Sequence, residues 1–189
     1  MADFSVDWFS ANIPHWEKVL SVYKDKHNLR FLEIGCFEGR ATLWLLENIL
    51  TGLNSKITVI DTFSGSWEHK NMRNIGTLKE QFMANIEPYK NKVDILQGKS
   101  QDFFPSADKN YFDFIYVDGS HNAIDVLRDG MASWDMLKRG GILIFDDFNW
   151  GEELAPELRP FNAIKGLLIT LGGLCSYQQF NDQIVVWKK

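Results

Sequence analysis

The stretch Phe31–Arg40 constrains the fold most, because a short apolar strand there runs directly into a glycine turn and then a helix. The apolar residues of Phe31–Ile34 are typical of a buried strand, and Gly35 and Gly39 bracket the turn. A unit of this kind brings backbone close to a ligand and points the N terminus of a helix at it. Its Gly-x-x-x-Gly spacing differs from the Gly-x-Gly-x-x-Gly of dinucleotide sites, and the turn by itself is also consistent with packing alone.

Strands and helices alternate along the rest of the chain. Apolar and β-branched segments predict further strands at Lys56–Asp61, Lys92–Leu96, Phe112–Asp118 and Ile142–Phe145, followed by two closing strands at Leu174–Tyr177 and Gln183–Trp187. A tight turn between the closing strands predicts that they pair antiparallel. We therefore predict an α/β fold, a Rossmann-like doubly wound sheet of seven strands, mostly parallel with a final antiparallel strand.

The chain is predicted to form one domain, because 189 residues are enough for a sizeable core and no linker interrupts them. Residues 1–29 are predicted to be a helical lead-in that covers a sheet edge or the mouth of a site, and residues 30–189 hold the sheet. Thr62–Gly76 is polar and is predicted to be a loop. The glycine pair in Lys138–Gly141 is predicted to stop the helix that begins near Ala123.

Composition and charge disfavour several classes of function. A formal net charge of −5 with scattered lysines and arginines gives no electrostatic footprint for nucleic acid. Cys36 and Cys175 are too few for a disulfide framework or a zinc cluster, and they suit a reducing compartment. No apolar run has the length of a membrane span, and the acidic, amphipathic Met1–Ser10 segment predicts that there is no signal peptide. We therefore predict a cytoplasmic protein without a membrane partner, or one domain of a longer chain. His15, His27 and His69 have no partner pattern and are predicted to lie at the surface.

Polar residues follow the strands at one edge of the predicted sheet. In doubly wound sheets, ligands bind beyond the carboxyl ends of the strands. One acidic strand end is common, but several at the same edge indicate a site. These residues are Glu33 and Gly35 at the first strand, Asp61 at the second, Gly98–Ser100 after the third, Asp118–His121 after the fourth, and Asp146 with Asp147 after the fifth.

Taken together, these segments resemble a known family, the class I S-adenosylmethionine-dependent methyltransferases. The resemblance rests on Leu32–Gly39, Asp61, Phe112–His121 and Leu137–Asp147, and it covers about residues 30–189. Within that class, the chain is most similar to metal-dependent small-molecule O-methyltransferases that act on catechols or on sugars of natural products. The resemblance therefore implies an enzyme that methylates a hydroxyl group of a small molecule.

The resemblance also implies a binding site for S-adenosylmethionine. Asp61 lies about twenty positions after the glycine turn, the separation expected for a carboxylate that accepts hydrogen bonds from ribose hydroxyls. Glu33 is implied to hold the methionine amino end, a structural bond to neighbouring turn amides being the alternative. Phe63 or Trp67 is implied to enclose adenine together with Ser100. The full set of predicted cofactor-binding residues is Glu33, Gly35, Cys36, Phe37, Gly39, Asp61, Thr62, Phe63, Lys99, Ser100 and Asp118.

Asp118, Asp146 and Asp147 are implied to be ligands of Mg²⁺ or a similar divalent ion. Three crowded carboxylates repel one another unless a cation or a proton lies among them, and oxygen ligands without cysteine suit Mg²⁺. Such an ion would hold two adjacent hydroxyls of an acceptor and lower the pKa of the attacking one. The alternative is that Asp146 or Asp147 caps the following segment while Asp118 contacts only the cofactor.

His121 is predicted to be the general base, with Asp118 as a second catalytic residue at the mouth of the same strand. A hydroxyl nucleophile must lose its proton as the methyl group arrives, and histidine is the usual base. Catechol enzymes usually pair aspartate with asparagine where this chain has Asp146 and Asp147. That departure favours a sugar or another vicinal diol as the acceptor.

Two further functions stay open on the sequence alone. The first is a metal-independent small-molecule methyltransferase in which His121 or Asp118 works without a metal. The second is a module that binds S-adenosylmethionine without catalysis. The glycine spacing disfavours an NAD-dependent dehydrogenase, and the acidic balance disfavours a nucleic-acid methyltransferase. Both a monomer and a homo-oligomer remain open.

Overall fold

The computed structural model describes residues 2–65 and 75–189 of the chain. The α-helices of the described residues are α1 Ile13–Leu20, α2 Arg40–Asn48, α3 Leu78–Ile86, α4 Ser100–Phe103, α5 Ala123–Met136 and α6 Phe161–Leu171. The strands are β1 Arg30–Ile34, β2 Lys56–Asp61, β3 Val93–Gln97, β4 Phe112–Val117, β5 Leu137–Phe145, β6 Cys175–Phe180 and β7 Gln183–Lys188. None of these described helices is long and apolar enough to cross a membrane.

The seven strands form one sheet with the order β3-β2-β1-β4-β5-β7-β6. Neighbours among the first five strands pair in parallel, whereas β7 pairs antiparallel with both β5 and β6. This topology confirms the predicted fold class. The order of the strands reverses between the neighbours β1 and β4, and this switch point is where doubly wound sheets open a crevice for ligands.

Burial on both faces of the sheet explains why β1 and β4 are central. Phe31 and Phe114 are fully buried in the hydrophobic cluster on one face, and Leu32 and Ile115 are almost fully buried in the cluster on the other. Helices α1, α2 and α3 cover the first face, and α5 and α6 cover the second. A strand that is buried on both faces has a nearly continuous apolar sequence. This pattern is why the segments of β1 and β4 can be recognised as strands in the sequence.

The prediction that Lys138–Gly141 stops helix α5 is wrong. The helix ends before Leu137, a fully buried residue with which strand β5 begins and which pairs with Phe112. Gly140, with a φ of +75°, lies where the register between β4 and β5 shifts after that pair. Burial of Leu137 therefore extends the strand past the glycines, which accommodate an irregularity inside β5.

Residues Asp3–Ser10, called the N-terminal strap below, are held against the glycine turn and α3. The backbone N–H and the hydroxyl of Ser5 each donate to a carboxylate oxygen of Glu38, both at 2.7 Å. Asn85 exchanges two hydrogen bonds of 2.8 Å with the backbone of Asp3. The strap is therefore fixed by one side chain of the glycine turn, Glu38, and by one of α3, Asn85.

The prediction that His15 lies at the surface is also wrong. Its side chain is buried, its ring stacks on Phe180 with centroids 5.2 Å apart, and its Nε2 lies 2.8 Å from Gln183 Oε1. Trp16 Nε1 donates to the same oxygen at 2.7 Å. Because Gln183 is fully buried on β7, these two bonds satisfy its carbonyl oxygen and dock α1 against the sheet.

Two residues named from the sequence, Trp67 and His69, lie outside the described residues. His27 is exposed, as predicted, and its Nδ1 accepts a hydrogen bond of 2.8 Å from the backbone N–H of Leu53.

Gly39 is required where α2 begins, whereas Gly166 inside α6 is not. Gly39 has a φ of +83°, and a Cβ there would lie 2.8 Å from Cδ2 of the buried Phe82 ring. We expect Gly39→Ala to lower the free energy of unfolding by about 1–3 kcal/mol, because alanine is strained in the left-handed region and its methyl group displaces the ring.

The matched control is Gly166→Ala, since no described atom beyond its own helix backbone lies within 4 Å of the added Cβ. We expect this variant to keep or gain stability, by up to about 1 kcal/mol, because alanine is the better helix former. Urea unfolding measures both variants. Equal loss of stability in the two would contradict the assignment of Gly39 as a required glycine.

Candidate functional site

Asp61, at the end of β2, organises the glycine turn. Its Oδ2 accepts hydrogen bonds from the backbone N–H groups of Cys36 at 2.7 Å and Phe37 at 3.1 Å, and its Oδ1 accepts from that of Phe63 at 2.7 Å. Hydrogen bonds to an ionised acceptor are about twice as strong as neutral ones. A carboxylate has about four lone-pair sites, so Asp61 keeps capacity for a ligand hydroxyl. Asp61, which is predicted to bind the ribose, thus also holds the glycine turn, which is predicted to bind the methionine portion.

Gly35 lies where the loops after β1 and β4 meet. Its φ is +82°, and a Cβ there would lie 2.0 Å from the carbonyl oxygen of Asp118. The N–H of Gly35 donates to the carbonyl of Ile60 at 2.9 Å, and the N–H of Asp118 donates to that of Ile34 at 2.8 Å. The turn is therefore pinned between β2 and β4, and only glycine fits there.

Glu33 is a buried carboxyl group on β1 beneath the turn. Its exposed fraction is 1%, and the Thr42 hydroxyl donates to its Oε2 at 2.5 Å. Burial raises the pKa of Glu33 to about 8, and the nearby charge of Asp61 contributes to the rise. The group therefore carries a proton at pH 7, and a cation placed beside it would favour its ionisation.

A cavity of about 300 Å³, called the turn cavity below, opens beyond the carboxyl ends of β1, β2, β3 and β4. The predicted cofactor residues that line it are Gly35, Phe37, Asp61, Thr62, Lys99, Ser100 and Asp118. Glu33 and Cys36 instead line the adjoining cavity described below. Among the described residues, Gly39 and Phe63 line neither cavity: Gly39 precedes α2, and the Phe63 ring packs with its centroid 5.5 Å from that of Phe82.

Tyr116 lies between two of the three carboxylates that were predicted to bind a metal. Its hydroxyl is 2.9 Å from Asp118 Oδ2 and also hydrogen-bonds Asp146 Oδ2, to which Gln183 Nε2 donates at 2.8 Å. Burial, together with the charges of Asp146 and Asp147, raises the pKa of Asp118 well above its ordinary value. Burial and the charge of Asp147 raise the pKa of Asp146 to about 6. The cluster thus holds protons at pH values where exposed aspartates are ionised.

The three carboxylates do not converge as metal ligands in this arrangement. Asp118 and Asp146 face the Tyr116 hydroxyl, while Asp147 Oδ2 lies 2.8 Å from His121 Nε2. Within residues 2–65 and 75–189, no group of three or more His, Cys, Asp or Glu side chains is placed to hold a metal ion. Their oxygen chemistry suits Mg²⁺, but the side chains as placed do not fit one, so their role as ligands stays a prediction.

His121 is oriented by Asp147. The 2.8 Å contact between Nε2 and Oδ2 is made by a histidine side chain that is 16% exposed, and the centroid of the Trp150 ring lies 4.1 Å from the imidazole. A neutral imidazole that donates from Nε2 to a carboxylate carries its basic lone pair on Nδ1. The pair is therefore arranged as a base whose ring orientation is set by a neighbouring acid.

A second cavity, of about 730 Å³, lies between the N-terminal strap, the glycine turn and the loops after β4 and β5. We call it the strap cavity. It contains His121 and all three predicted metal ligands, and aromatic side chains form much of its wall: Phe4, Trp8, Phe9, Phe37 and Trp150. Both cavities are lined by Gly35, Phe37, Asp118 and Gly119, so they meet at the contact between the loops after β1 and β4.

Four residues that line the two cavities or hydrogen-bond to their lining residues were not predicted from the sequence. Tyr116 stands two positions before Asp118, so the period of two in a strand could have placed both on one face. Thr42 lies on α2 and bonds Glu33 across nine positions. Asp129 and Gln183 carry no local signal, because their partners Ser100 and Asp146 are 29 and 37 positions away in the sequence.

A family model described as a methyltransferase domain matches residues 32–148. This range contains every predicted site residue, from Glu33 to Asp147. Among curated proteins, uncharacterized protein R132 of Acanthamoeba polyphaga mimivirus is 25% identical over an alignment of 141 residues, with 71% of this chain and 59% of that protein covered. The match therefore spans less than two thirds of the viral protein.

Solved structures share the fold. An O-methyltransferase from Bacillus cereus in complex with SAH (S-adenosylhomocysteine) has a TM-score of 0.69 at 15% identity, with 98% of this chain and 84% of that chain covered. The MycE methyltransferase of the mycinamycin biosynthetic pathway, in complex with Mg, SAH and mycinamycin VI, has a TM-score of 0.65 at 16% identity, with 97% and 50% covered.

Proposed function

Because the chain belongs to the methyltransferase-domain family, we propose that it is an S-adenosylmethionine-dependent O-methyltransferase acting on a hydroxyl group of a small molecule. The observation that carries the proposal is that the turn cavity, with Asp61, meets the strap cavity, with His121, at Gly35 and Asp118. A methyl donor and a hydroxyl acceptor need this kind of juxtaposition, because alignment supplies much of the rate of the reaction.

The test is incubation with S-adenosylmethionine carrying a labelled methyl group and a panel of sugars and other diols. Labelled product together with S-adenosylhomocysteine supports the proposal. Tight binding of S-adenosylhomocysteine without turnover of any acceptor would instead favour a cofactor-binding module without catalysis.

The residues of the turn cavity fit S-adenosylmethionine. Asp61 offers carboxylate oxygens to the ribose hydroxyls, and the backbone at Gly35, which has no Cβ, admits the methionine portion at close range. Glu33, which lines the adjoining strap cavity, offers a buried carboxyl group to the ammonium end. When bound, S-adenosylmethionine supplies an electrophilic methyl group on a sulfonium.

His121 acts in this proposal as the general base for the acceptor hydroxyl. Its hydrogen bond to Asp147 holds the ring in one orientation and stabilises the imidazolium that forms when the proton arrives. The Trp150 ring and the N-terminal strap border the same cavity and reduce the access of water to the reacting groups.

The acceptor we propose is a sugar or another vicinal diol. His121 and the neighbouring carboxylates offer hydrogen-bonding groups to adjacent hydroxyls, and the aromatic wall of the strap cavity offers flat faces to a ring. A cavity of about 730 Å³ also leaves room for a substituent on that ring. MycE, which shares the fold, was solved with mycinamycin VI, and this supports a small-molecule acceptor by analogy.

A metal-dependent form of the same reaction is the second candidate. It is favoured by the crowding of Asp118, Asp146 and Asp147: burial and then the charges of neighbouring carboxylates raise the pKa of the first two, and a cation would relieve that repulsion. It is disfavoured by the hydrogen bonds of these carboxylates to Tyr116, Gln183 and His121, which a metal would have to replace.

Chelation separates the two candidates. Because a hydrogen bond to Asp147 sets the orientation of the His121 ring, we expect methyl transfer to fall less than about 2-fold after treatment with EDTA and removal of the chelator. The rate is measured before and after addition of Mg²⁺, with heat-denatured protein as the blank. A loss of 10-fold or more that Mg²⁺ restores would support the metal-dependent form instead.

Binding of S-adenosylhomocysteine is expected to release close to one proton per site at pH 7. The free protein holds Glu33 mostly protonated, because its pKa lies near 8, and an ammonium group beside it shifts that pKa downward. The release should vanish at pH 9, where Glu33 is already ionised. Calorimetry in two buffers of different ionisation enthalpy measures the proton count.

Glu33→Gln is the matched variant for this measurement, since it keeps the shape of the side chain without its titration. We expect it to bind with no proton release at pH 7. Equal proton release in the variant and the wild type would assign the proton to another group.

The proposed location is the cytoplasm. Both cysteines of the chain, Cys36 and Cys175, are buried free thiols, which supports a reducing compartment.

A further inference from the structure

The Gln183 side chain lies between helix α1 and the acidic residues that follow β5. It is fully buried on β7, and both ends of its amide group are hydrogen-bonded. Its Oε1 lies 2.8 Å from His15 Nε2 and accepts a hydrogen bond of 2.7 Å from Trp16 Nε1. Its Nε2 donates to Asp146 Oδ2 at 2.8 Å. The base mechanism proposed above assigns no role to this side chain.

Helix α1 sets the orientation of the Gln183 amide. The indole N–H of Trp16 can only donate, so the amide atom that it faces is the carbonyl oxygen. The amide nitrogen of Gln183 then faces Asp146, where it can only donate. Because Trp16 is fully buried between α1 and the sheet, this orientation is held by core packing.

Asp146 connects Gln183 to the backbone of the next residue. Its Oδ2 accepts from Gln183 and is also hydrogen-bonded to Tyr116, while its Oδ1 accepts from the backbone N–H of Asp147 at 2.9 Å. Asp147 has a φ of +58°, in the left-handed region that residues other than glycine adopt when surrounding contacts hold them there. The Asp146 carboxylate supplies one of these contacts.

The backbone conformation of Asp147 determines where its carboxylate points. Its Oδ2 lies 2.8 Å from His121 Nε2, and its carbonyl oxygen accepts a hydrogen bond of 3.0 Å from the backbone N–H of Trp150. The Trp150 ring in turn lies against the His121 imidazole. A return of Asp147 to a negative φ would redirect its Cβ and separate its carboxylate from the imidazole.

We propose that Gln183 is a positioning residue for the general base: through Asp146, it holds Asp147 in the conformation that orients His121. The inference rests on the proposed function, because that function makes His121 the base. The hydrogen bonds from Gln183 to His121 are themselves a property of the free protein. The His121 and Asp147 side chains are only 16% and 27% exposed, so water competes little for these bonds.

The first test is Gln183→Met, which keeps a side chain of similar length and removes both the amide acceptor and the amide donor. We expect kcat to fall about 10-fold, because a small displacement of a reacting group has an effect of this order or larger. The dissociation constant of S-adenosylhomocysteine should change less than about 2-fold, since Gln183 contacts Asp146 and not the turn cavity. The rate is measured with an acceptor found in the labelled-methyl screen.

A double-mutant cycle shows whether Gln183 acts through Asp147. In the background of Asp147→Asn, which already weakens the contact with His121, we expect Gln183→Met to lower kcat less than about 2-fold further. An equal loss of kcat in the two backgrounds would mean that Gln183 supports only the fold, and it would overturn the proposal.

The tautomer of His121 gives a second measurement that does not depend on turnover. In ¹⁵N spectra of the neutral imidazole, we expect the wild type to carry the proton on Nε2, the nitrogen that faces Asp147. In Gln183→Met we expect a population with the proton on Nδ1. The signal is assigned by its loss in His121→Ala. An unchanged tautomer in Gln183→Met would overturn the proposal.

Ser55→Ala is the matched control for loss of buried hydrogen bonds. Ser55 is 1% exposed, and its hydroxyl bonds the backbone N–H of Leu29 and the carbonyl of Lys26, each at 3.2 Å. We expect this variant to lose stability in urea while kcat and the His121 tautomer stay as in the wild type. A loss of kcat like that of Gln183→Met would show that kcat follows stability, and it would overturn the proposal.

His15→Phe carries the test if Gln183→Met does not fold. It keeps an aromatic ring against Phe180 and removes one contact of the Gln183 oxygen. We expect kcat to fall about 2- to 5-fold, and this loss should be absent in the Asp147→Asn background. Wild-type kcat in a folded His15→Phe would then overturn the proposal.

Failure of the proposed function gives a different result from failure of this inference. A wild type that methylates no acceptor removes the proposed function, and the tautomer comparison still tests the link from Gln183 to His121. A wild type that methylates an acceptor, together with a Gln183→Met variant that keeps both kcat and the His121 tautomer, removes only the role of Gln183.

Discussion

Replacing Asp61 with alanine is expected to weaken the binding of S-adenosylhomocysteine by at least about 100-fold, which corresponds to about 2.7 kcal/mol. The variant loses the acceptor proposed for the ribose hydroxyls. It also leaves the N–H groups of Cys36, Phe37 and Phe63 without the carboxylate that orders the glycine turn. Calorimetry measures the loss, and thermal unfolding of the free protein shows whether the fold is kept.

Asp61→Asn is the matched control for this prediction. Its side chain keeps one acceptor oxygen, so we expect an intermediate loss of about 5- to 20-fold. If Asp61→Ala does not fold, the asparagine variant carries the test. Wild-type affinity in a folded Asp61→Ala or in Asp61→Asn would contradict the assignment of Asp61 to both the turn and the cofactor.

His121→Ala is expected to lower kcat by about 10²- to 10⁴-fold while the dissociation constant of S-adenosylhomocysteine changes less than about 2-fold. We expect kcat to change without the affinity for S-adenosylhomocysteine, because His121 lines the strap cavity and not the turn cavity. The rate is measured with an acceptor found in the labelled-methyl screen, and affinity is measured by calorimetry.

Two further variants serve as comparisons for His121→Ala. His27→Ala removes an exposed histidine outside both cavities and should leave kcat unchanged. Asp147→Asn should lower kcat less than His121→Ala does, because the base remains and only its orientation and charge stabilisation are weakened. An unchanged kcat in His121→Ala would assign the base to another group.

The sheet could be predicted because each strand and turn is indicated by the residues of its own segment. Apolar runs buried on both faces identify β1 and β4, and the glycine turn that follows β1 has a steric cause in the contact of Gly35 with Asp118. Once the strands are parallel, their carboxyl ends must share an edge, so Asp61, Asp118 and Asp146 could be placed at one crevice without knowledge of side-chain positions.

The features that could not be predicted from the sequence depend on contacts between segments that are far apart in the chain. Gln183 joins α1 to the acidic cluster, since its oxygen accepts from His15 and Trp16 while its amide donates to Asp146. No pattern near residue 183 or residue 15 reveals such a bond, and a lone histidine was therefore assigned to the surface. The shape of the acidic cluster was equally hidden, because the Tyr116 hydroxyl that lies between Asp118 and Asp146 belongs to an ordinary buried strand position.

The glycine pair of β5 shows a different limit. Glycines after a helix usually mark its end. Here the buried Leu137 already pairs in strand β5, so Gly140 lies inside the strand, where the register between β4 and β5 shifts. The packing of Leu137 in the core thus outweighed the tendency of the glycine pair to end a helix.

The central claim is that the crevice beyond β1, β2 and β4 binds S-adenosylmethionine. The most direct test is calorimetric titration of the wild-type protein with S-adenosylhomocysteine. We predict one site per chain with a dissociation constant below about 100 µM, and competition by S-adenosylmethionine for the same site. No heat and no thermal shift at millimolar S-adenosylhomocysteine would contradict the claim, and the acidic strand ends would then serve another ligand.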